Sequence, residues 1–285
     1  MDERPVDGGG APELTVVVPT FNERGNVAVL AGRLAAALAG RRWEAIFVDD
    51  DSPDGTAEAV RALASGDPRI RCIRRIGRRG LAGACIEGML AAQAPIVAVI
   101  DADLQHDETV LPAMLARIDG GADIVVATRY AGGGDASSFD AARGAMSRAA
   151  TMAARLLLKV PSSDPMSGFF MLRRALVESV APKLSTQGFK ILLDILASVP
   201  PGLTVAEVPY SFGVRTSGAS KLDNRVMVDF LGLLLSKATG GAISMRFVSF
   251  AAVGGLGLVV HLAALRLALG AGSPFTTAQT LATVI

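Results

Sequence analysis

An alternation constrains this chain more than any other feature. From Leu14 to about Ala127, apolar runs of strand length take turns with Ala- and Leu-rich stretches of helical length. The runs are Leu14 to Val18, Glu44 to Val48, Ile70 to Arg74, Ile96 to Ile100 and Asp123 to Ala127. Between them lie Val27 to Leu38, Thr56 to Ala64, Leu81 to Ala92 and Thr109 to Ile118. A strand-helix repeat of this kind brings successive strands into one sheet and lays the connecting helices over it. The order predicts an α/β, Rossmann-like, mostly parallel sheet with helices on both faces.

Ligands of such sheets dock beyond the carboxyl ends of the strands. Three of those ends carry chemistry: Pro19-Thr20-Phe21-Asn22-Glu23, the acidic loop from Asp49 to Thr56, and Asp101-Ala102-Asp103-Leu104-Gln105-His106. Two carboxylates one residue apart repel each other unless a cation lies between them. Aspartate oxygens beside an amide oxygen suit a hard divalent ion, Mg²⁺ or Mn²⁺, that completes its shell with substrate phosphates. The bland alternative is that one Asp caps the next helix and the other is solvated. Acidic loops on neighbouring strand ends converge on one rim and favour the ligand reading. No G-x-G-x-x-G opens the first helix, so the dinucleotide fingerprint is missing. Gly77, Gly80 and Gly83 form a turn that serves a tight loop or a phosphate equally well. His106 reads as a neutral loop residue with no obvious partner.

Beyond Ala127 the character changes. Thr128-Arg129-Tyr130 leads to Gly132-Gly133-Gly134 and a helix carrying Arg143, Ser147 and Arg148. Asp164-Pro165-Met166-Ser167-Gly168-Phe169-Phe170 follows, then a helix from Gly188 to Ser198 with Lys190 and Asp194, and a strand from Leu203 to Val208. The Gly- and Ser-rich loop from Pro209 to Lys221 can close over a ligand while Arg215 and Lys221 neutralise phosphate. Arg129 stands at the ligand rim or caps the sheet edge. Arg143 and Arg148, five apart, need not face the same way. Lys221 has lipid headgroups as a second use. Leu222 to Ala238 reads either as an interfacial helix lying on a membrane or as an ordinary amphipathic helix packed on the domain.

Hydrophobic residues make up 51% of the 285 positions and concentrate near the end. Phe247 to Leu269 is interrupted only by His261 and Arg266 and exceeds the roughly 20 residues needed to cross a bilayer. Phe275 to Ile285 begins a second apolar stretch, as though the sequence were cut inside a membrane domain. Lys221, Arg225, Lys237 and Arg246 precede the span, which puts the large N-terminal region on the cytoplasmic side. A net charge of +1 argues against a nucleic-acid partner. The first dozen residues read as a disordered arm rather than a signal peptide. Cys72 and Cys85 lack metal or redox spacing and read as reduced structural thiols.

Taken in order, PTFNE, VDDDSPDGT, DADLQH, TRY, the Arg143 to Arg148 helix, DPMSGFF, GFKILLDIL and RTSGASKL resemble the GT-A family 2 glycosyltransferases, and among them the dolichol-phosphate (polyprenol-phosphate) mannosyltransferases. The likeness covers residue 14 to about 240, and the segment from Met245-Arg246-Phe247 resembles the start of a GtrA-like membrane domain. It implies a disordered arm at 1–12, a GT-A catalytic domain at 13–221, an interfacial region at 222–244 and a truncated transmembrane segment at 245–285.

The resemblance implies metal-dependent, inverting transfer of mannose from GDP-mannose to the phosphate of a membrane polyprenol. Matched motif by motif, Pro19, Phe21, Glu23, Val48 and Asp50 would hold the nucleoside, and Asp101 and Ala102 would line the ribose and diphosphate. Asp103 and Gln105 would bind the metal with Asp101 close by. Arg129 and Arg143 would face the phosphates, and Arg215 with Lys221 would close over the donor. The family often has Tyr at Phe21, a Pro-rich continuation in place of Asp107-Glu108-Thr109, and Glu at Asp194. The acceptor phosphate needs no general base, so Glu23 and Asp194 are given binding or structural roles. Two alternatives stand beside this reading: a UDP-glucose-dependent polyprenol-phosphate glucosyltransferase, and a non-catalytic nucleotide-sugar sensor on a membrane scaffold.

Overall fold

Each of the five apolar runs forms a strand in the computed structural model, which describes residues 10–130, 160–186, 188–213, 232–239 and 245–284, together with 152, 154, 156 and 158. They are β1 (Leu14–Thr20), β2 (Trp43–Asp49), β3 (Ile70–Arg74), β4 (Ile96–Val99) and β5 (Ile124–Thr128). The helices between them are α1 (Val27–Ala37), α2 (Thr56–Gly66), α3 (Leu81–Leu90) and α4 (Leu111–Asp119). Ahead of α4 sits a short 3₁₀ turn, Glu108–Val110, whose start is fixed by the Asp107 carboxylate accepting from Thr109 N at 3.0 Å. The departure from a Pro-rich start thus replaces proline with a side-chain cap.

Two further strands complete the sheet. Phe170–Arg173 is β6 and Val205–Pro209 is β7, separated by α5 (Arg174–Val180) and α6 (Ile191–Ser198). The order is β3-β2-β1-β4-β6-β5-β7, and β6 alone runs antiparallel, between β4 and β5. No strand is expected at β6 from the sequence. Four residues with Phe170, Met171 and Leu172 fully buried carry no two-residue alternation to reveal it.

Side chains of alternate parity fill the two faces. Leu14, Val16 and Val18 of β1 join Phe47, Leu30, Leu34, Leu111, Met114 and Ile118 in one cluster, which puts α1 and α4 on that face. Val17 and Val48 point the other way, against α3. There Gly88 is needed for close approach: a Cβ would strike Val17 and come within 2.9 Å of Val48 Cγ2. Helices therefore cover both faces, as the alternation predicts. The strand order reverses at β1 and β4, since β2 and β3 extend to one side of β1 and β4 lies on the other. That crevice is where ligands of open α/β sheets bind.

The chain divides into two compact units, Met1–Phe230 and Leu231–Ile285. The second holds a 26-residue helix, Met245–Gly270, and a shorter one, Phe275–Val284. Phe250–Gly270 is the only helix among the described residues long and apolar enough to cross a membrane, and its apolar side chains, Phe250 and Val253 among them, are exposed. His261, an interruption of the apolar run, is satisfied by donating from Nδ1 to the Ala282 carbonyl at 2.9 Å. Of the span 222–244, residues 232–238 are helical, and 222–231 and 240–244 lie outside the described residues.

Candidate active site

The carboxyl ends of β1, β2 and β4 form one rim. Asn22, Asp51 and Leu104, one after each of these strands, adopt the left-handed backbone with φ of 62°, 57° and 62°. No other non-glycine residue among those described does so. Backbone held this way costs about 1–3 kcal/mol per residue and is characteristic of functional sites. Side chains sew the first two loops together. Asn22 N donates to Ser52 Oγ and Glu23 N to Thr56 Oγ1, both at 3.0 Å, while Ser52 Oγ donates to the buried Asp49 carboxylate at 2.6 Å.

The D-A-D-L-Q-H loop is held from two sides. Gly168 packs so closely on the Asp101 carboxylate that a Cβ there would collide with Oδ2. His106, predicted to lack a partner, is buried in an aromatic nest of Phe169, Tyr210 and Phe212. Its Nε2 lies 3.3 Å from Asp101 Oδ2 and its Nδ1 2.8 Å from the Tyr210 hydroxyl. A carboxylate only accepts in its ionised form, so Nε2 is the donor to Asp101. The loop reading of His106 is therefore corrected: it orients Asp101. The 104 residues separating it from Tyr210 hid this from the sequence.

Asp103 is buried, and its Oδ1 accepts from Gln105 N at 3.2 Å. The Gln105 side chain donates from Nε2 to the Gly213 carbonyl at 3.0 Å, which turns its Oε1 to the opposite side of the amide. Among the described residues no three His, Cys, Asp or Glu side chains converge as a metal cage. An ion here would thus take Asp103 and the Gln105 amide oxygen, with water and phosphate oxygens making up the shell, a donor set that fits Mg²⁺ or Mn²⁺.

The cations lie around this loop. Arg129 grips the buried Asp164 with both arms, Nε to Oδ2 at 2.7 Å and Nη2 to Oδ1 at 2.9 Å, and lies 5.3 Å from the Phe212 ring. Burial opposes its charge, but the Asp164 carboxylate outweighs burial and holds the guanidinium above its ordinary pKa. Arg75 binds Asp50 Oδ1 and the Gly80 carbonyl, and Gly80 N donates to Asp50 Oδ2 at 2.6 Å. Arg79 stacks over the Phe21 ring at 4.6 Å. Lys190, at the N-terminal boundary of α6, is half-buried. Burial lowers its pKa, Arg129 pushes the same way, and Asp101 and Asp164 oppose them.

The remaining expected site residues are placed as follows. Pro19, Val48 and Ala102 are buried, so only their backbones can meet a nucleoside. Both Asp50 oxygens are engaged with Arg75 and Gly80, which makes Asp50 the anchor of the glycine turn. Glu23 accepts from Asn26 Nδ2 at 2.6 Å, and Asp194 is buried and accepts from Ser185 N at 2.7 Å. Arg143, Arg148, Arg215 and Lys221 lie outside the described residues. Arg75, Asp164 and Tyr210 were missed. The Arg74-Arg75 pair at the end of β3 was the signal for Arg75, and the DPMSGFF motif, which begins at Asp164, was the signal for Asp164.

Fold and rim together define an α/β protein with acidic and cationic loops gathered at the topological switch point. The family model for glycosyl transferase family 2 matches residues 15–181. The chain belongs to that family. It is 38% identical over 264 residues to a dolichol-phosphate mannosyltransferase of Pyrococcus furiosus, covering 92% of this chain and 74% of that one. A Saccharomyces cerevisiae protein of the same name is 39% identical over 228 residues, 77% of this chain and 84% of its own. Among solved structures, glucosyl-3-phosphoglycerate synthase from Mycobacterium tuberculosis, with Mn²⁺, UDP-glucose and phosphoglyceric acid, superposes with a TM-score of 0.60. Identity is 22%, over 80% of each chain, a likeness of fold, the GT-A arrangement.

Proposed function

We propose that this chain transfers mannose from GDP-mannose to the phosphate of a membrane polyprenol, with inversion at the anomeric carbon, giving polyprenyl phosphate mannose. The observation that carries the reading is the 38–39% identity, over 77% to 92% of the chain, to proteins named for that reaction. The geometry of the rim supports it.

The difficult event is departure of the sugar from a nucleoside diphosphate, where negative charge grows on the leaving group. A divalent ion held by Asp103 and Gln105, with Asp101 beside it, supplies charge stabilisation there when bound. This chain's own cations add to that stabilisation. Arg129, made rigid by Asp164, faces the phosphates, Arg143 serves with it, and Arg215 and Lys221 close over the donor. Phe21 offers the base a ring face in exchange for Arg79, and Glu23 braces its loop through Asn26. The attacking group is a phosphate monoester with a second pKa near ~6, already anionic at neutral pH. No carboxylate need remove a proton, so Asp194 is left to its structural bond with Ser185.

The helix Phe250–Gly270 anchors the enzyme at the bilayer that holds its acceptor, with the catalytic unit on the cytoplasmic face where Lys221, Arg225, Lys237 and Arg246 lie before the span. The test is to supply the full chain in detergent with polyprenyl phosphate and either labelled GDP-mannose or labelled UDP-glucose. Label in the organic phase from GDP-mannose is expected. Label from UDP-glucose alone would replace the donor, and label from neither would remove the activity.

A further inference from the structure

Glu207 is a charged residue that the site described above leaves unused. It lies on β7, the edge strand of the sheet, in register with Val126 of β5. A glutamate on an edge can serve simply to discourage pairing with another chain. This one is half-buried and turns both oxygens onto a neighbouring loop. Its Oε1 accepts from Ser162 Oγ at 2.9 Å and from Ser163 N at 2.5 Å, and its Oε2 accepts from Ser163 Oγ at 2.8 Å.

Two branches lead from this carboxylate to Arg129. Ser162 Oγ gives its hydrogen to Glu207 and accepts from Asp164 N at 3.2 Å, and the Asp164 carboxylate receives both arms of Arg129. On the second branch Ser163 Oγ also has one hydrogen and gives it to Glu207, so at 2.7 Å from Thr128 Oγ1 it accepts. Thr128 is then the donor to Ser163, and its oxygen accepts from Tyr130 N at 3.2 Å. An ionised carboxylate cannot donate, so this one acceptor sets the direction of every bond in the branch. The residues tied in this way are the two chain neighbours of Arg129 and the carboxylate it grips.

The need for such a tie follows from where these residues lie. Arg129 comes directly after β5, and residues 160–169 form neither helix nor strand. A guanidinium is only as fixed as its partner carboxylate, and side chains on loops are held less exactly than those on a sheet. Glu207 belongs to the sheet and joins both loops to it.

Resting on the glycosyl-transfer reading, in which Arg129 faces a substrate phosphate, we infer that Glu207 is a positioning residue: through Ser162 and Ser163 it holds the Arg129–Asp164 pair in the orientation that meets the phosphate. It acts through Arg129 and needs no contact with the ligand.

The test measures binding of GDP and of a short polyprenyl phosphate to the full chain in detergent by calorimetry. Arg129→Met combined with Asp164→Ala removes the guanidinium with its partner and shows which of the two ligands Arg129 holds; if neither is weakened, the inference is overturned. Glu207→Ala is expected to weaken the same ligand by about 10- to 100-fold, the worth of one well-aligned hydrogen bond to a charged group. In the background without Arg129 it should cause no further loss, because a residue that acts only through another is not additive with it. Equal losses in the two backgrounds, or a folded Glu207→Ala with wild-type affinity, overturn the inference. Glu207→Gln keeps an oxygen for Ser162 and Ser163 N, and its amide can donate to Ser163 Oγ, which then turns its hydrogen to Thr128; most of the affinity should return. A Gln variant as weak as the Ala variant also overturns the inference, since charge rather than geometry would then be the cause. Should Glu207→Ala or the background without Arg129 fail to fold, Ser163→Ala, which cuts the Thr128 branch alone, is expected to lose part of the affinity, and wild-type affinity in it overturns the inference. These measurements need no turnover, so a wild type that binds both ligands but transfers no mannose removes the proposed reaction and leaves the role of Glu207 to be decided by the same comparison.

Discussion

The side chain of Gln105 and the backbone of Gly213 clasp each other. Gln105 Nε2 donates to the Gly213 carbonyl at 3.0 Å, and Gly213 N donates back to the Gln105 carbonyl at 2.7 Å. A carbonyl only accepts, so the amide nitrogen must face Gly213 and the amide oxygen must face away. The clasp also ties the D-A-D-L-Q-H loop to the chain entering the segment with Arg215 and Lys221.

Gln105→Glu keeps an oxygen for a metal but sets its second carboxylate oxygen against the Gly213 carbonyl. Loss of an orienting partner of this kind costs about 10- to 100-fold in metal affinity or activity. A Mn²⁺ titration of transfer should show half-activation moved to higher metal by that order. Half-activation at the wild-type concentration would mean that Gln105 is not a ligand.

Asp164 sits at zero exposure under the Arg129 guanidinium, 2.7 and 2.9 Å away. Removing one partner of a buried pair leaves an uncompensated charge and costs about 3–5 kcal/mol. Asp164→Ala should therefore lower unfolding free energy in urea by that amount and abolish transfer. The double variant Asp164→Ala with Arg129→Met should regain stability while remaining inactive.

Glu108 is buried, and its Oε1 has no hydrogen-bond partner; the nearest cation, Arg33, is 3.6 Å away and half exposed. Burial raises its pKa. The folded state then binds the proton more tightly than the unfolded one, so stability falls as pH rises from the unfolded value through the folded value, and the penalty is fully present above both. Glu108→Gln should raise the melting temperature at pH 7, and the gain should shrink as pH is lowered through the raised folded value and vanish below the ordinary Glu range. A gain independent of pH would place the cause in packing.

Gly88→Ala puts a methyl into Val17 and within 2.9 Å of Val48 Cγ2, both on strands at the rim. Overpacking of this kind costs about 1–3 kcal/mol. Denaturation should show that loss, and Val17→Ala in the same chain should restore part of it.

The parts of the fold legible in the sequence were those with local signatures. The strands β1, β2, β4 and β5 announce themselves because each is mainly apolar and bounded by polar loops, and β3, with Arg71 and Arg74, through its place in the alternation with helical stretches. Four-residue β6 does not, because its burial comes from partners at Ile96–Val99 and Ile124–Val126, distant in the chain. The site divides in the same way. Asp101, Asp103 and Gln105 lie within five residues and could be read as one group. Tyr210 under His106, Asp164 under Arg129 and Arg75 under Asp50 are joined across 104, 35 and 25 residues by the fold alone.

The most direct test of the central claim compares two acceptors that differ only in the phosphate. Labelled GDP-mannose is given to the full chain with Mn²⁺ and either a polyprenyl phosphate or the matching polyprenol, and label entering the organic phase is counted. Transfer to the lipid phosphate and none to the alcohol is the predicted result, because no side chain here is assigned to remove a hydroxyl proton. Equal transfer to both, or transfer to the alcohol alone, would contradict it.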